Sequence, residues 1–224
     1  MPVTKYSETA VRIPAGAATL EGNLSVPAGA DGVVVFAHGS GSSRLSPRNR
    51  YVAQALNEAR LATLLADLLT AEEESVDVRT KHLRFDIGML ARRLLAAAEW
   101  VAAEPQTSAM RIGYFGASTG GGAALVAAAE RPDLATAVVS RGGRPDLAGA
   151  ALARVRAPTL LIVGGLDYPV IDMNREALAQ LRAESRLEIV PGATHLFEEP
   201  GKLQEVARLS RAWFERFLTH EEVT

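Results

Sequence analysis

One pentapeptide of the sequence has the composition of a nucleophile turn. Gly116-Ala117-Ser118-Thr119-Gly120 follows the apolar run Arg111 to Phe115 and precedes an alanine-rich segment. A serine between a strand and a helix needs a strained backbone, and glycines two residues before and after it let the two elements approach closely. The same glycines would also suit a helix that only packs against a sheet. We predict that Ser118 is a catalytic nucleophile.

The base that a serine hydroxyl needs is predicted to be His195. It follows Pro191-Gly192-Ala193-Thr194, a turn-like segment after the last strand-like run. His82 and His220 are interpreted as solvated residues, the first at the start of a helical pattern and the second in a polar tail. His195 therefore takes the last place in the order serine, acid, histidine.

The carboxylate that orients the base is predicted to be Asp167. It comes at the end of Val163-Gly164-Gly165-Leu166-Asp167, where an apolar run stops and two glycines allow a tight turn. Asp172 and Asp146 are the alternatives, and either could instead begin a helix. The three predicted residues form a triad in which Asp167 holds the imidazole and stabilises its charged form.

Backbone N–H groups are expected to stabilise the oxyanion of the tetrahedral intermediate. One comes from the residue after the nucleophile, Thr119, and the other from the loop after the first parallel strand. That loop is His38-Gly39-Ser40-Gly41, and Ser40 is the predicted second donor. Alternatively, the loop only leads into a helix near Ser46.

Three further residues are candidates for substrate binding. His38 ends the first parallel strand, and Arg141 and Arg144 flank two glycines after a later one. Arginines at that position could hold an anionic group, although a solvated loop is an equal alternative. Asp67 and the run Glu72-Glu73-Glu74 fall on the same side and are interpreted as solvated surface.

These residues require a scaffold that brings loops together, and the strand pattern predicts one. Residues Ala10 to Val26 alternate as in an antiparallel hairpin, and from Gly32 onward strand and helix patterns alternate, which indicates a mostly parallel sheet with helices on both faces. The predicted parallel strands are Gly32–Ala37, Leu61–Ala66, Arg111–Phe115, Thr136–Val139, Thr159–Val163 and Leu187–Val190.

Helix signals fall between most of these strands. Ser46-Pro47 predicts a helix start, because serine caps helices and proline suits their first position. Apolar residues from Leu83 to Val101 repeat at helical spacing, and Pro200 is predicted to open a last helix. Only the short segment Ser140 to Arg156 is available for a lid, so we predict an open site without a lid domain.

Together these segments resemble the α/β-hydrolase superfamily, and the compact layout resembles its dienelactone hydrolase family. The resemblance covers nearly the whole chain. It implies the α/β-hydrolase fold, in a single domain over residues 1–224, and hydrolysis of esters with small or medium acyl groups through an acyl-enzyme. It implies neither a metal nor an organic cofactor. The founding members use a cysteine nucleophile, whereas this sequence has Ser118 and no cysteine, so dienelactone itself is not expected as the substrate.

Composition restricts the partners. The formal net charge of -2 gives no field that would hold a nucleic acid, and no apolar run is long enough to span a membrane. The start of the sequence lacks the apolar core of a signal peptide, so a cytoplasmic location is expected. The expected partner is a small-molecule ester.

Other classes of protein fit the sequence less well. Gly39 and Gly41 after one strand and Asp67 after the next would suit a nucleotide-binding oxidoreductase, but Arg44 stands where the third glycine would be. A P-loop motif is absent. Two alternatives stay open: transfer of the acyl group to an acceptor such as peroxide or an amine, and a non-catalytic binding module of the same fold.

Overall fold

The computed structural model describes residues 8–219, in which eight strands form one sheet. The strands are β1 (Glu8–Ala15), β2 (Ala18–Ser25), β3 (Gly32–Ala37), β4 (Leu61–Ala66), β5 (Arg111–Ala117), β6 (Ala135–Arg141), β7 (Thr159–Gly164) and β8 (Ser185–Val190). Their order is β1-β2-β4-β3-β5-β6-β7-β8. Strands β3 to β8 are parallel to their neighbours among themselves, whereas β1 pairs antiparallel with β2 and β2 with β4. The mostly parallel sheet and its antiparallel start are as predicted.

The N-terminal hairpin turns at Gly16, whose φ is +65°. Ala15 faces Ala18 across the turn, so the two strands are joined by two residues. Alternation along the hairpin turns Ile13 and Leu20 toward the core, where both are fully buried.

Helices cover both faces of the parallel part. They are α1 (Pro47–Glu58), α2 (Ala71–Thr80), α3 (Ile87–Ala103), α4 (Thr119–Glu130), α5 (Tyr168–Gln180) and α6 (Lys202–Leu218). On β3, Val34 and Phe36 pack with side chains of α1 and α6, and Val33 and Val35 pack with side chains of α3. The two clusters explain why the parallel strands are continuously apolar.

Two helices start later than predicted. The apolar repeat from Leu83 is interrupted, because Leu83–Phe85 is a separate 3-10 turn and the side chain of Asp86 caps α3 by accepting the Met89 N–H at 2.9 Å. The last helix begins at Lys202 rather than Pro200, after Gly201 with φ of +81°.

Helix α2 was not predicted. Thr70 Oγ1 accepts the Glu73 N–H at 3.3 Å, and the Glu73 carboxylate accepts the Thr70 N–H at 2.8 Å, which is a capping box. Glu73 also forms an ion pair with Arg93 of α3. The acidic run is therefore the first turn of a helix, and Glu73 is not the solvated residue that we expected.

The connection from β6 to β7 contains a 3-10 segment, Pro145–Arg154, and no inserted domain. Within residues 8–219, no helix has both the length and the apolar character that crossing a membrane would require.

Candidate active site

Ser118 lies in a strained turn between β5 and α4. Its φ of 51° and ψ of -121° are unusual for a residue with a side chain. Its N–H donates to the Arg141 carbonyl at 3.2 Å, and its carbonyl accepts the N–H groups of Gly121 at 2.9 Å and Arg144 at 3.0 Å. These hydrogen bonds hold the serine in a conformation that the isolated chain would avoid.

Gly116 and Gly120 make this turn possible. A Cβ on Gly116 would collide with the Gly120 carbonyl oxygen, and a Cβ on Gly120 would collide with the Ala37 carbonyl oxygen of β3. Both obstacles are backbone atoms, which cannot move aside like the end of a flexible side chain. The close approach predicted for these two glycines is confirmed.

The structure brings His195 and Asp167 together. His195 Nδ1 lies 2.6 Å from Asp167 Oδ2, and the side chains are 37% and 13% exposed. The alternative acids are engaged elsewhere: Asp172 pairs with Arg175, and Asp146 pairs with Arg144. Asp167 is thus the one of the three aspartates that contacts the imidazole.

The loops that carry these two residues are joined to each other. The Gly165 N–H donates to the Val190 carbonyl at 2.8 Å, and the Leu166 N–H donates to the Ala193 carbonyl at 2.9 Å. The loop after β7 and the loop after β8 therefore form one backbone-bonded unit around the acid and the base.

The segment Arg141–Arg144 connects Ser118 with His195. Arg141 and Arg144 bind the Ser118 backbone, and a Cβ placed on Gly142 would lie 3.5 Å from His195 Nδ1. Within residues 8–219, no hydrogen bond joins Ser118 Oγ to the imidazole. Such contacts commonly tighten only when substrate binds, so this geometry is compatible with a nucleophile and its base.

Two N–H groups beside Ser118 are free to bind an oxyanion. In the described part of the chain, neither the Thr119 N–H nor the Ser40 N–H has a hydrogen-bond acceptor. Gly39 packs against the nucleophile, since a Cβ on it would lie 3.1 Å from Ser118 Cβ. The loop after β3 therefore lies where a second oxyanion donor is needed.

His38 is buried, and both of its ring nitrogens are occupied. Nε2 accepts the Leu68 N–H at 2.9 Å, so Nδ1 carries the hydrogen and donates to the Gly39 carbonyl at 2.9 Å. Burial lowers the pKa of His38 and so favours the neutral ring. The hydrogen bond to the Gly39 carbonyl opposes this effect in part. This geometry favours a role in fixing the loop over the predicted contact with substrate.

The two candidate arginines have different environments. Arg144 binds Asp146 through two hydrogen bonds of 2.8 and 2.7 Å, and this partner raises its pKa. Arg141 is only 6% exposed and binds Asn49 Oδ1 at 3.2 Å through Nη2. Burial lowers the pKa of Arg141 to about 10, so the guanidinium stays charged at neutral pH. Of these two arginines, only Arg141 has no carboxylate partner within residues 8–219.

A cleft of about 740 Å³ opens beside the loop after β3. Its wall includes His38, Gly41 and Glu74, and also Asp67, which binds the Arg44 backbone N–H at 2.6 Å and the Arg44 guanidinium. Because Asp67 is already occupied by an arginine, it does not suit the ribose-binding role that a nucleotide-binding oxidoreductase would need.

Near the predicted oxyanion donors lie Arg84, which sequence reasoning did not consider, and Glu74, which it interpreted as solvated surface. Glu74 of α2 and Arg84 line a small cavity together with Ser40 and Thr119. Arg84 also pairs with the buried Asp77. The sequence signal that could have placed this segment was the threonine and glutamate of the capping box before α2. Within residues 8–219, no group of three or more His, Cys, Asp or Glu side chains could hold a metal ion.

Comparisons with known proteins agree with this architecture. The model of the dienelactone hydrolase family matches residues 20–220. The crystal structure of a dienelactone hydrolase from Anabaena variabilis is 63% identical, with a TM-score of 0.94 over 96% of this chain and 100% of that chain. Est1E from Butyrivibrio proteoclasticus is 18% identical, with a TM-score of 0.76 over 92% of this chain and 98% of that chain, which shows likeness of fold alone.

A curated relative from Mycobacterium tuberculosis is named as a candidate phosphoribosyl transferase. It is 56% identical over 204 residues, which cover 91% of this chain but 45% of the relative. This chain therefore spans less than half the length of the curated relative that it matches.

Proposed function

The chain belongs to the dienelactone hydrolase family, and from this premise we propose that it is a serine hydrolase which cleaves carboxylic esters of small or medium acyl groups. Ser118 is the nucleophile, His195 the base and Asp167 the acid that orients it. The observation that carries the proposal is the 2.6 Å contact between His195 Nδ1 and Asp167 Oδ2, on the same sheet edge as a serine held at a positive φ.

The acid determines which nitrogen of the base is free. Because Nδ1 donates its hydrogen to Asp167, Nε2 of His195 carries a lone pair and can accept the Ser118 hydroxyl proton. When Nε2 is protonated, the carboxylate stabilises the imidazolium. The arrangement therefore supports proton transfer to and from Nε2 without protonating Asp167.

The reaction proceeds in two halves. Ser118 Oγ attacks the ester carbonyl while its proton moves to His195 Nε2, and the N–H groups of Thr119 and Ser40 bind the oxyanion. The C–O bond to the alcohol breaks as His195 returns the proton to the leaving oxygen. Water then gives a proton to His195, attacks the acyl-enzyme and releases the acid with free Ser118.

An open site supports small or medium acyl groups. The His195 side chain is 37% exposed, so solvent reaches the base. No inserted domain lies between β6 and β7.

Phosphoribosyl transfer is not favoured by the site. The transferase name belongs to a relative of which the matched part is 45%. The contacts around Ser118 support acyl chemistry, in which peroxide or an amine would compete with water for the same acyl-enzyme. Product analysis with and without these acceptors separates hydrolysis from acyl transfer.

The direct test is intact mass after incubation with a fluorophosphonate, which phosphonylates an activated serine and releases fluoride. We expect one adduct on the wild type and none on Ser118→Ala. An unlabelled wild type that also hydrolyses no ester would overturn the proposal in favour of a binding module.

A further inference from the structure

The carboxyl edge of the sheet contains one buried arginine without a counterion. Only 6% of Arg141 is exposed, and within residues 8–219 no carboxylate lies within ion-pair distance of it. Its Nε is buried without a hydrogen-bond acceptor, and its described side-chain hydrogen bond is to the neutral Asn49. Removing a guanidinium from water costs free energy that a neutral amide offsets only in part.

The ion pairs of neighbouring arginines show that the environment of Arg141 is unusual. Those on the same edge of the sheet each have a carboxylate partner, in the pairs Arg44–Asp67, Arg84–Asp77, Arg93–Glu73 and Arg144–Asp146. Among the described residues, the fold therefore supplies a carboxylate for each of these cations, including the buried Arg93, and none for Arg141. The charge of Arg141 is therefore not neutralised by any described carboxylate.

A second cation, Arg48, directly precedes Asn49, the residue that accepts the hydrogen bond of the Arg141 guanidinium. Arg48, in the first turn of α1, is close enough for its charge to lower the pKa of Arg141 further. Its Nη1 binds Glu198, whose side chain is 62% exposed, but its Nε is buried without an acceptor. Two guanidinium groups thus repel each other, and each has a buried N–H group that no described residue accepts.

The start of α1 adds to this positive field. The backbone N–H of Arg48 has no acceptor among the described residues, and the side chain of Asn49 connects the helix to Arg141. Backbone N–H groups at a helix N-terminus and the helix dipole both favour an anion. The buried guanidinium of Arg141 is therefore directed at a helix end that could help it bind one.

The pair adjoins the reacting residues. The Arg141 carbonyl accepts the Ser118 N–H at 3.2 Å, and Cζ of Arg141 lies 5.9 Å from the ring centroid of Phe197, two residues beyond His195. The backbone of Arg141 thus lies at the nucleophile turn, and its guanidinium lies against the loop that carries the base. A group bound there could belong to a molecule whose ester lies at Ser118.

We propose that Arg48 and Arg141 form an anion subsite that binds a carboxylate or phosphate group of the substrate. This rests on the proposed function, because the subsite selects among esters that Ser118 cleaves. A bound anion would lie between the two guanidinium groups and accept hydrogen bonds from their unpaired N–H groups. The subsite would therefore favour esters that carry a negative charge over neutral esters of equal size.

The test compares matched anionic and neutral esters. On the acyl side the pair is the p-nitrophenyl monoester of glutarate against p-nitrophenyl pentanoate, and on the alcohol side 4-acetoxybenzoate against its methyl ester, with uncatalysed rates subtracted. The readout is the ratio of kcat/KM for the anionic ester to kcat/KM for the neutral ester. We expect the wild type to prefer the anionic member of at least one pair.

The variants are Arg48→Gln and Arg141→Gln, with Arg211→Gln as the control because Arg211 forms an exposed pair with Glu215 on α6. Losing one charge-assisted contact should lower the ratio about tenfold in either subsite variant and leave it unchanged in the control. Arg48→Gln keeps the test valid if the buried Arg141→Gln does not fold. No preference in the wild type, or an equal preference in the variants, would overturn the proposal.

A free anion is distinguished from a substrate group by thermal melting in acetate and in phosphate at constant ionic strength. A rise in Tm that disappears in Arg48→Gln, without any ester preference, would mean that the site takes a free anion and would contradict the substrate assignment. If the wild type reacts with the fluorophosphonate but shows no preference for anionic esters, the subsite proposal alone is contradicted. If the wild type does not react with the fluorophosphonate, the proposed function is contradicted.

Discussion

His195 Nδ1 lies 2.6 Å from Asp167 Oδ2, so the imidazole donates a charge-assisted hydrogen bond to a carboxylate that is only 13% exposed. The contact fixes the ring orientation and the tautomer before any substrate arrives. Both effects depend on the charge of Asp167 as well as on its shape, and a substitution that keeps the shape separates them.

Asp167→Asn should keep the fold and lose most of the activity. The amide can present its N–H₂ group to Nδ1, which would place the ring hydrogen on Nε2 and remove the acceptor for the Ser118 proton. We expect kcat to fall by roughly 10³ to 10⁴. Asp172→Asn is the matched control, because the Asp172 side chain is 70% exposed and its one ion pair within residues 8–219 is with Arg175. Equal kcat values for the two variants, measured on p-nitrophenyl acetate, would contradict the assignment of the acid.

Replacement of Ser118 should reveal the strain of its turn. Both Ser118→Ala and Ser118→Gly should lose activity by several orders of magnitude, since the nucleophile is gone. Glycine adopts a positive φ without the steric cost of a Cβ. The free energy of unfolding of Ser118→Gly should therefore exceed that of Ser118→Ala by about 1 kcal/mol. Urea denaturation measures the difference, and a less stable glycine variant would argue against strain at this position.

Gly120→Ala should destabilise the protein strongly. The added methyl group would collide with the Ala37 carbonyl oxygen of β3, and it would lie 2.6 Å from the His38 carbonyl oxygen. We expect a loss of about 3 kcal/mol in the free energy of unfolding, as for other overpacked sites. Gly88→Ala serves as the control, because the nearest atom to its added carbon is 3.5 Å away. If both variants unfold at the same urea concentration, the described contact with β3 is wrong.

His38 should make stability depend on pH. Burial lowers its pKa in the folded protein, so the unfolded chain binds a proton more readily. The stabilisation is complete above the unfolded value of about 6.5 and declines as the pH falls below it, by at most about 1.4 kcal/mol per pH unit.

His38→Gln removes this titration and keeps an oxygen that can accept the Leu68 N–H. Between pH 7.5 and 5.0 the free energy of unfolding should fall less in His38→Gln than in the wild type. Urea curves at several pH values provide the measurement. Parallel pH profiles of the two proteins would show that His38 does not titrate as a buried neutral ring.

Much of the scaffold was visible in the sequence because parallel strands are buried on both faces. Such strands are recognisable as apolar runs, and β3 and β4 have the predicted bounds. The start of α1 followed from Ser46 and Pro47, whose capping roles are local. These predictions, which depend on a few adjacent residues, were accurate, whereas the local signal at Pro200 placed the start of the last helix two residues too early.

Several other errors come from features that the periodicity of apolar residues does not report. Helix α2 has no apolar stripe, since its buried residue is Asp77, so periodicity could not reveal it. The repeat from Leu83 crosses a break that only the cap at Asp86 marks. The burial of Arg141 depends on α1 and on the loop after β8, which the spacing of residues along β6 does not report. The single-domain organisation and the cytoplasmic location stay predictions.

The hydrogen bonds between the loops after β7 and β8 have a consequence for motion. Because Gly165 and Leu166 are bonded to Val190 and Ala193, the acid and the base should move together when this edge of the sheet fluctuates. The contact between His195 and Asp167 should then persist through such fluctuations, so the imidazole keeps its orientation toward the acid.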